Sequence, residues 1–98
     1  MTTGSGGVRV AWERGGEASL ERLAGELVTL HSTVPSPPGS RIEGALTIAG
    51  EQVAAKLRVK IHASRRSGDG TFVLEGRALD LTRDLREKLA GAIVARGE

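Results

Sequence analysis

Arg58, Lys60, Arg65 and Arg66 are the side chains whose type and spacing best suit them to bind a ligand. With Lys56 and His62 they form a stripe in which every second residue from 56 to 62 is basic, and Arg77 faces it from further along the chain. Phosphates are held by such cations when they stand on one side of a rigid element, and a strand provides that alignment. The competing reading is a solvated strand face, on which lysine and arginine discourage edge-to-edge pairing. Only Glu75 is placed to neutralise the stripe within its own hairpin. The run Arg65-Arg66-Ser67-Gly68-Asp69-Gly70 also suggests a phosphate cradle, because glycine lets backbone donors approach closely. It lacks the lysine and following helix of a P-loop, and Gly-Asp-Gly is what a hairpin turn requires.

Other reactive groups are sparse. His31 and His62 are the only histidines, and neither has a recognisable metal-ligand spacing to a carboxylate. The absence of cysteine removes disulfides, thiolate metal sites and a cysteine nucleophile, and fits a reducing compartment. Ser19, Ser32 and Ser36 lack a Gly-x-Ser-x-Gly context, and Glu13, Glu17 and Glu21 read as solvated charges near a turn. A small hydrolase would need a pocket joining His31 or His62 to a serine and a carboxylate. We expect no catalysis, no metal and no cofactor.

The elements that must carry these residues are mainly strands. Leu57, Val59, Ile61 and Ala63 alternate with the basic residues over Gln52 to Arg66, the period of a half-buried strand. Thr71 to Leu79 returns against it, with Phe72, Leu74, Gly76 and Ala78 on one face. If Arg66 pairs with Thr71, His62 lies opposite Glu75, Ile61 opposite Gly76 and Val59 opposite Ala78. A slip of one residue would put Ile61 opposite a charge, so the facing is well specified. A slip of two keeps the faces, and the first register sets Lys60 opposite Arg77, a like-charge pair. Upstream, Val8, Val10 and Trp12 mark a first strand ending at Gly15-Gly16. Ala18 to Ser32 fits a helical stripe of Leu20, Leu23, Leu27 and Leu30. Gly25 mid-element and the strand-favouring Val28 and Thr29 argue instead for two strands, Ala18 to Leu23 and Leu27 to Ser32. Three prolines make Thr33 to Ser40 a loop, whose extended Pro35 to Gly39 stretch could suit an aromatic groove. Arg41 to Ala49 alternates again, with Ile42, Gly44, Leu46 and Ile48 on one face, and Gly50-Glu51 turns it into the hairpin. At Leu79-Asp80-Leu81 the alternation flips, so the strand ends or a bulge re-aims it. Helical spacing then begins, with Thr82 as N-cap, Leu85, Leu89, Ala92 and Ile93 on one face and Gly97 as the stop.

The chain is long enough for one core, hiding roughly 65% of its unfolded surface. It should comprise a mobile tail, residues 1–7, and a single domain, residues 8–98. A formal charge of +2 is too small to argue for nucleic acid or a membrane, and Trp12 and Phe72 alone cannot build a stacking platform. No run approaches a membrane span and no signal peptide opens the chain, so a cytoplasmic location is expected. The fold class expected is mainly β: a small six-stranded antiparallel barrel with one C-terminal helix. An apolar helix face wider than the barrel needs would serve self-association.

This order of elements and several local runs resemble the PilZ domain family. The runs are Ser32-Thr-Val-Pro-Ser-Pro-Pro-Gly39-Ser before a middle strand, Leu57-Arg-Val-Lys-Ile61 in the next, and Phe72-Val-Leu-Glu-Gly-Arg77 continuing through Leu79-Asp-Leu-Thr82 to Leu85-Arg86. The resemblance spans about Val8 to Ile93 and implies a six-stranded barrel that in many members binds cyclic di-GMP. Such binding uses RxxxR before the first strand and [D/N]xSxxG near the second. Here Arg9 already lies inside the first strand, and no two arginines are four apart. With the family glycine placed on Gly25, Leu20 stands for Asp or Asn and Arg22 for Ser. The bidentate clamp on phosphate and guanine is therefore missing, and no tight cyclic di-GMP binding by that mode is expected. The resemblance then implies a protein-interaction module of bacterial signalling or motility with a protein partner; the alternative is a nucleotide or nucleic-acid binder using the basic hairpin.

Overall fold

The computed structural model describes residues 7–48, 50–79 and 81–97, with side-chain environments for residues 7–48, 50–53, 55–79 and 81–92. Residues 1–6 of the expected tail, the redirection at Asp80 and the side chain of Ile93 lie outside the described residues.

Six strands precede one helix: β1 (Val8–Trp12), β2 (Glu17–Ala24), β3 (Leu27–Ser32), β4 (Arg41–Ile48), β5 (Glu51–Arg66), β6 (Phe72–Leu79) and α1 (Arg83–Gly97). They form a closed antiparallel barrel in the order β1-β2-β3-β6-β5-β4. Closure follows from alternation, since each strand has one apolar face to hide and a closed sheet hides all of them at once while removing free edges. Val8, Val10, Trp12, Leu20, Leu30, Leu46, Leu57, Val59, Ile61 and Leu74 fill the interior. The segment from Ala18 to Ser32 is two strands. Gly25 takes φ of +63° at the start of a two-residue turn between the paired Ala24 and Leu27, the position where hairpin turns favour glycine.

Two inward glycines let the wall close tightly. A Cβ on Gly76 would lie 2.3 Å from the Lys60 carbonyl oxygen, and one on Gly44 would lie 2.5 Å from the Ala11 carbonyl oxygen. Neither neighbour can yield, because each is backbone of the adjoining strand.

The hairpin register is partly as expected. Val59 faces Ala78, Lys60 faces Arg77 and Ile61 faces Gly76. Nearer the turn the expectation fails by one residue: Arg66 faces Phe72 rather than Thr71, and Ala63 rather than His62 faces Glu75. A bulge at His62 absorbs the difference, turning Ala63 outward instead of into the core. The bulge lies where the proline loop meets β5: Gly39 N–H donates to the Ile61 carbonyl at 2.7 Å, and Ile61 N–H donates to the Ser40 carbonyl at 2.8 Å. A second irregularity at Glu21 in β2, and another between Ala45 and Thr47 in the β4–β5 pairing, were not foreseen. Glu51, expected in the turn, is already paired with Ile48.

Helix α1 lies against β2, β1 and β4 and closes one end of the barrel. Thr82 Oγ1 accepts the Leu85 N–H at 3.2 Å, so the expected N-cap is formed. Leu89 is fully buried in the core, and Leu85, Ala92 and Leu81 are partly buried against that core. The helix runs on to Gly97. Of its described side chains, which end at Ala92, the exposed ones are charged apart from Ala90.

Candidate binding surface on the outer wall

Strand β5 presents Lys56, Arg58 and Lys60 on the outside of the barrel while Leu57, Val59 and Ile61 point in. The lower half of this stripe is neutralised by acids that sequence spacing does not identify. Arg58 Nε donates to Glu43 Oε1 at 3.1 Å, from the residue directly opposite on β4. Lys56 donates to Glu13, with Glu43 Oε2 at 3.7 Å. The Arg58 guanidinium, with Lys56 beside it, holds the Glu43 carboxyl below its usual range, and the Glu13 carboxylate raises Lys56. Glu75, expected as the stripe's counter-charge, makes no ion pair among the described residues.

Lys60 sits differently. It faces Arg41 on β4 and Arg77 on β6, so three cations stand in one row across three strands. Arg77 is answered by Glu26, whose Oε1 accepts from Nη2 at 2.8 Å and Nε at 3.0 Å. Among the described residues, Lys60 and Arg41 carry no ion pair. The row continues onto β3 at Leu27, the partner of Arg77 and, at 56% exposure, the one large exposed hydrophobic among the described residues. Beside it, a groove of about 360 Å³ is bounded by Arg22, Leu27, Thr29, His62 and Glu75. The His62 bulge thus shapes one side of this depression.

Arg65 and Arg66 are at the other end of β5, exposed and opposite Val73 and Phe72. At about 3.3 Å per residue they stand roughly 16 Å along the strand from Lys60, too far for one phosphate to bridge. The four expected ligand residues are therefore not brought together: Arg58 is spent on Glu43, Lys60 belongs to the row, and the arginine pair sits at the tip. The turn beyond it uses its own polar groups. Ser67 N–H donates to the Thr71 carbonyl at 2.7 Å, and Asp69 Oδ1 accepts the Thr71 N–H at 3.2 Å. A carboxylate occupies the place an anion would take.

That turn also contains an arrangement sequence spacing missed. Asp69 Oδ1 accepts the Thr71 hydroxyl, and the Thr71 oxygen meets His31 Nε2 from β3, with Asp69 Oδ2 3.9 Å from the same nitrogen. Hydrogen bonds from the Thr71 hydroxyl and amide lower the Asp69 carboxyl. Asp-x-Thr is a local turn signature that could have been read, whereas the arrival of His31 depends on the β3–β6 pairing. Acid and imidazole converge here on one hydroxyl, so the carboxylate does not orient the ring's far nitrogen as it does in a charge-relay triad. The group ties β3 to the hairpin tip.

Around the barrel mouth, Trp12 Nε1 donates to Ser32 Oγ at 3.1 Å, and Ser32 donates to the Val34 carbonyl at 2.7 Å. The proline loop is anchored there, with Ser36 buried and Pro35, Pro37 and Pro38 outward. Arg9 is on the outer face of β1, paired with Glu17 at 2.8 Å, and Leu20 is fully buried. Among the described residues there is no group of three or more His, Asp or Glu placed to hold a metal, and no helix long and apolar enough to cross a membrane. Comparison with known proteins gives no match: no family model, no curated protein and no solved structure matches the chain.

Proposed function

We propose that the protein is a PilZ-like, non-enzymatic regulatory or adaptor module that works through protein contacts in bacterial signalling or motility, in the cytoplasm, and does not take cyclic di-GMP by the family's usual motifs. The observation that carries this is the position of Leu20. Where the family motif has Asp or Asn, this chain has a core leucine with no exposed surface. Arg9, the earliest arginine, is committed to Glu17 on the outer wall. A six-stranded barrel with a C-terminal helix accords with the resemblance, and an outer wall with an exposed leucine beside unpaired cations accords with protein contact. Titrating labelled cyclic di-GMP should give no saturable binding up to about 0.1 mM. Co-purification from the native cell, followed by reconstitution with the purified partner, should give a stoichiometric complex. Tight binding of the dinucleotide that is lost in Arg65→Ala/Arg66→Ala would overturn the proposal.

The second reading, an anion binder using the basic hairpin, draws on Lys60, Arg65 and Arg66, which carry no ion pair among the described residues. It requires oligonucleotide binding whose salt dependence reports several released counter-ions. Salt-insensitive or absent binding removes it.

A further inference from the structure

The row Arg41, Lys60, Arg77 breaks a rule that the rest of the wall obeys. Like charges directly opposite on neighbouring strands destabilise a sheet, and here two such pairs follow one another. Two residues along β4, the pair Glu43–Arg58 shows the favourable arrangement that one substitution at Arg41 or Lys60 would reproduce. An arrangement that costs stability with no structural return marks a place used for something else. The same row ends on Leu27, which contributes nothing to the core from its exposed position. A cationic band and an apolar side chain, next to a groove of about 360 Å³, are three features of one recognition surface.

Resting on the protein-contact function proposed above, we infer that this band is the docking site for an acidic protein segment bearing one apolar anchor side chain. Acidic side chains of the partner would meet Arg41 and Lys60, while Arg77, already held by Glu26, keeps its place beside Leu27. The anchor would pack on Leu27 and enter the groove between Thr29 and His62. Three inter-strand gaps of about 4.8 Å separate Arg41 from Leu27, a span that an extended segment of about five residues covers. Charge complementarity selects the acidic partner and sets its rate of encounter. A nucleic acid would match the cations but leave Leu27 unused. It would also find no aromatic residue in the band, since Trp12 is buried and Phe72 is half-buried at the far end of β6.

The test is selection from a random display library of peptides about twelve residues long, using the full folded chain. Enriched peptides should carry several Asp or Glu residues around a Leu, Ile or Phe. A synthetic peptide of the enriched sequence should bind saturably and weaken at about 0.5 M salt. It should also bind at least about tenfold more weakly to Lys60→Glu, which sets an acid opposite both Arg41 and Arg77. Leu27→Ser should weaken it comparably. Both variants should melt no lower than the parent chain, because one relieves repulsion and the other alters an exposed side chain. No enrichment, or enrichment without acidic bias, overturns the assignment. Peptide binding unchanged in both variants overturns this site while leaving the protein-contact function standing. Equal competition by an oligonucleotide of mixed sequence overturns both. A concentration-dependent dimer lost in Leu27→Ser makes the band a contact between copies and overturns the acidic partner.

Discussion

Asp69 shows how one carboxylate can organise a turn. It accepts the Thr71 hydroxyl and amide, and through that hydroxyl connects the β5–β6 tip to His31 on β3. Its carboxyl is held below the ordinary range, first by the Thr71 hydroxyl and then by the Thr71 N–H. A carboxyl with a lower pKa folded than unfolded adds stability that is fully present above the unfolded value and lost as pH falls through the folded one. Asp69→Asn should therefore lower stability at neutral pH, and the difference from the parent chain should vanish in acid below the ordinary carboxylate range. Chemical denaturation followed by Trp12 fluorescence at several pH values measures it, and a pH-independent difference would mean the charge is not the cause. At the same scale, Arg58 and Lys56 looked like free binding cations because their acidic partners, Glu43 and Glu13, lie on β4 and just after β1. Local spacing has no access to such pairs.

At the scale of elements, β5 and β6 form the spine of the barrel, and their register depends on two residues that act through geometry alone. His62 is the extra residue that lets the turn and the core each keep its own register. Gly76 then sits against the neighbouring strand, with no room for a side chain against the Lys60 carbonyl. Gly76→Ala should cost about 1 to 3 kcal/mol, as overpacking does where the neighbours are backbone. Gly68→Ala in the open turn should cost far less, since nothing lies within 4 Å of its Cβ position. Urea midpoints of the two variants provide the comparison, and equal losses would contradict the close approach. The inward positions of this hairpin were legible from alternation as far as Ile61. Beyond it they were not, because the bulge coincides with the docking of the proline loop onto Ile61, a contact between segments some twenty residues apart.

For the whole molecule, stability depends on the helix sealing one end of a barrel whose other openings are met by the proline loop and the strand turns. Leu89 is the seal, fully buried in the core against which Leu81, Leu85 and Ala92 also pack. Leu89→Ala should cost about 2 to 5 kcal/mol through lost burial and the cavity left behind, while Ala90→Ser on the exposed side should be close to neutral. Thermal unfolding of both variants tests this, and a small effect at Leu89 would mean the barrel closes without the helix. The amino-acid sequence by itself determined the type and order of the elements, the inward faces of β1, β4 and most of β5, and the Thr82 cap, because period-2 alternation and capping depend on neighbours within a few residues. Only the tertiary structure decided the strand order, the bulges, the acids that silence Arg58 and Lys56, and the meeting of Arg41, Lys60, Arg77 and Leu27 in one row. Cross-strand neighbours come from distant parts of the chain, and closure of the barrel selects which of them meet.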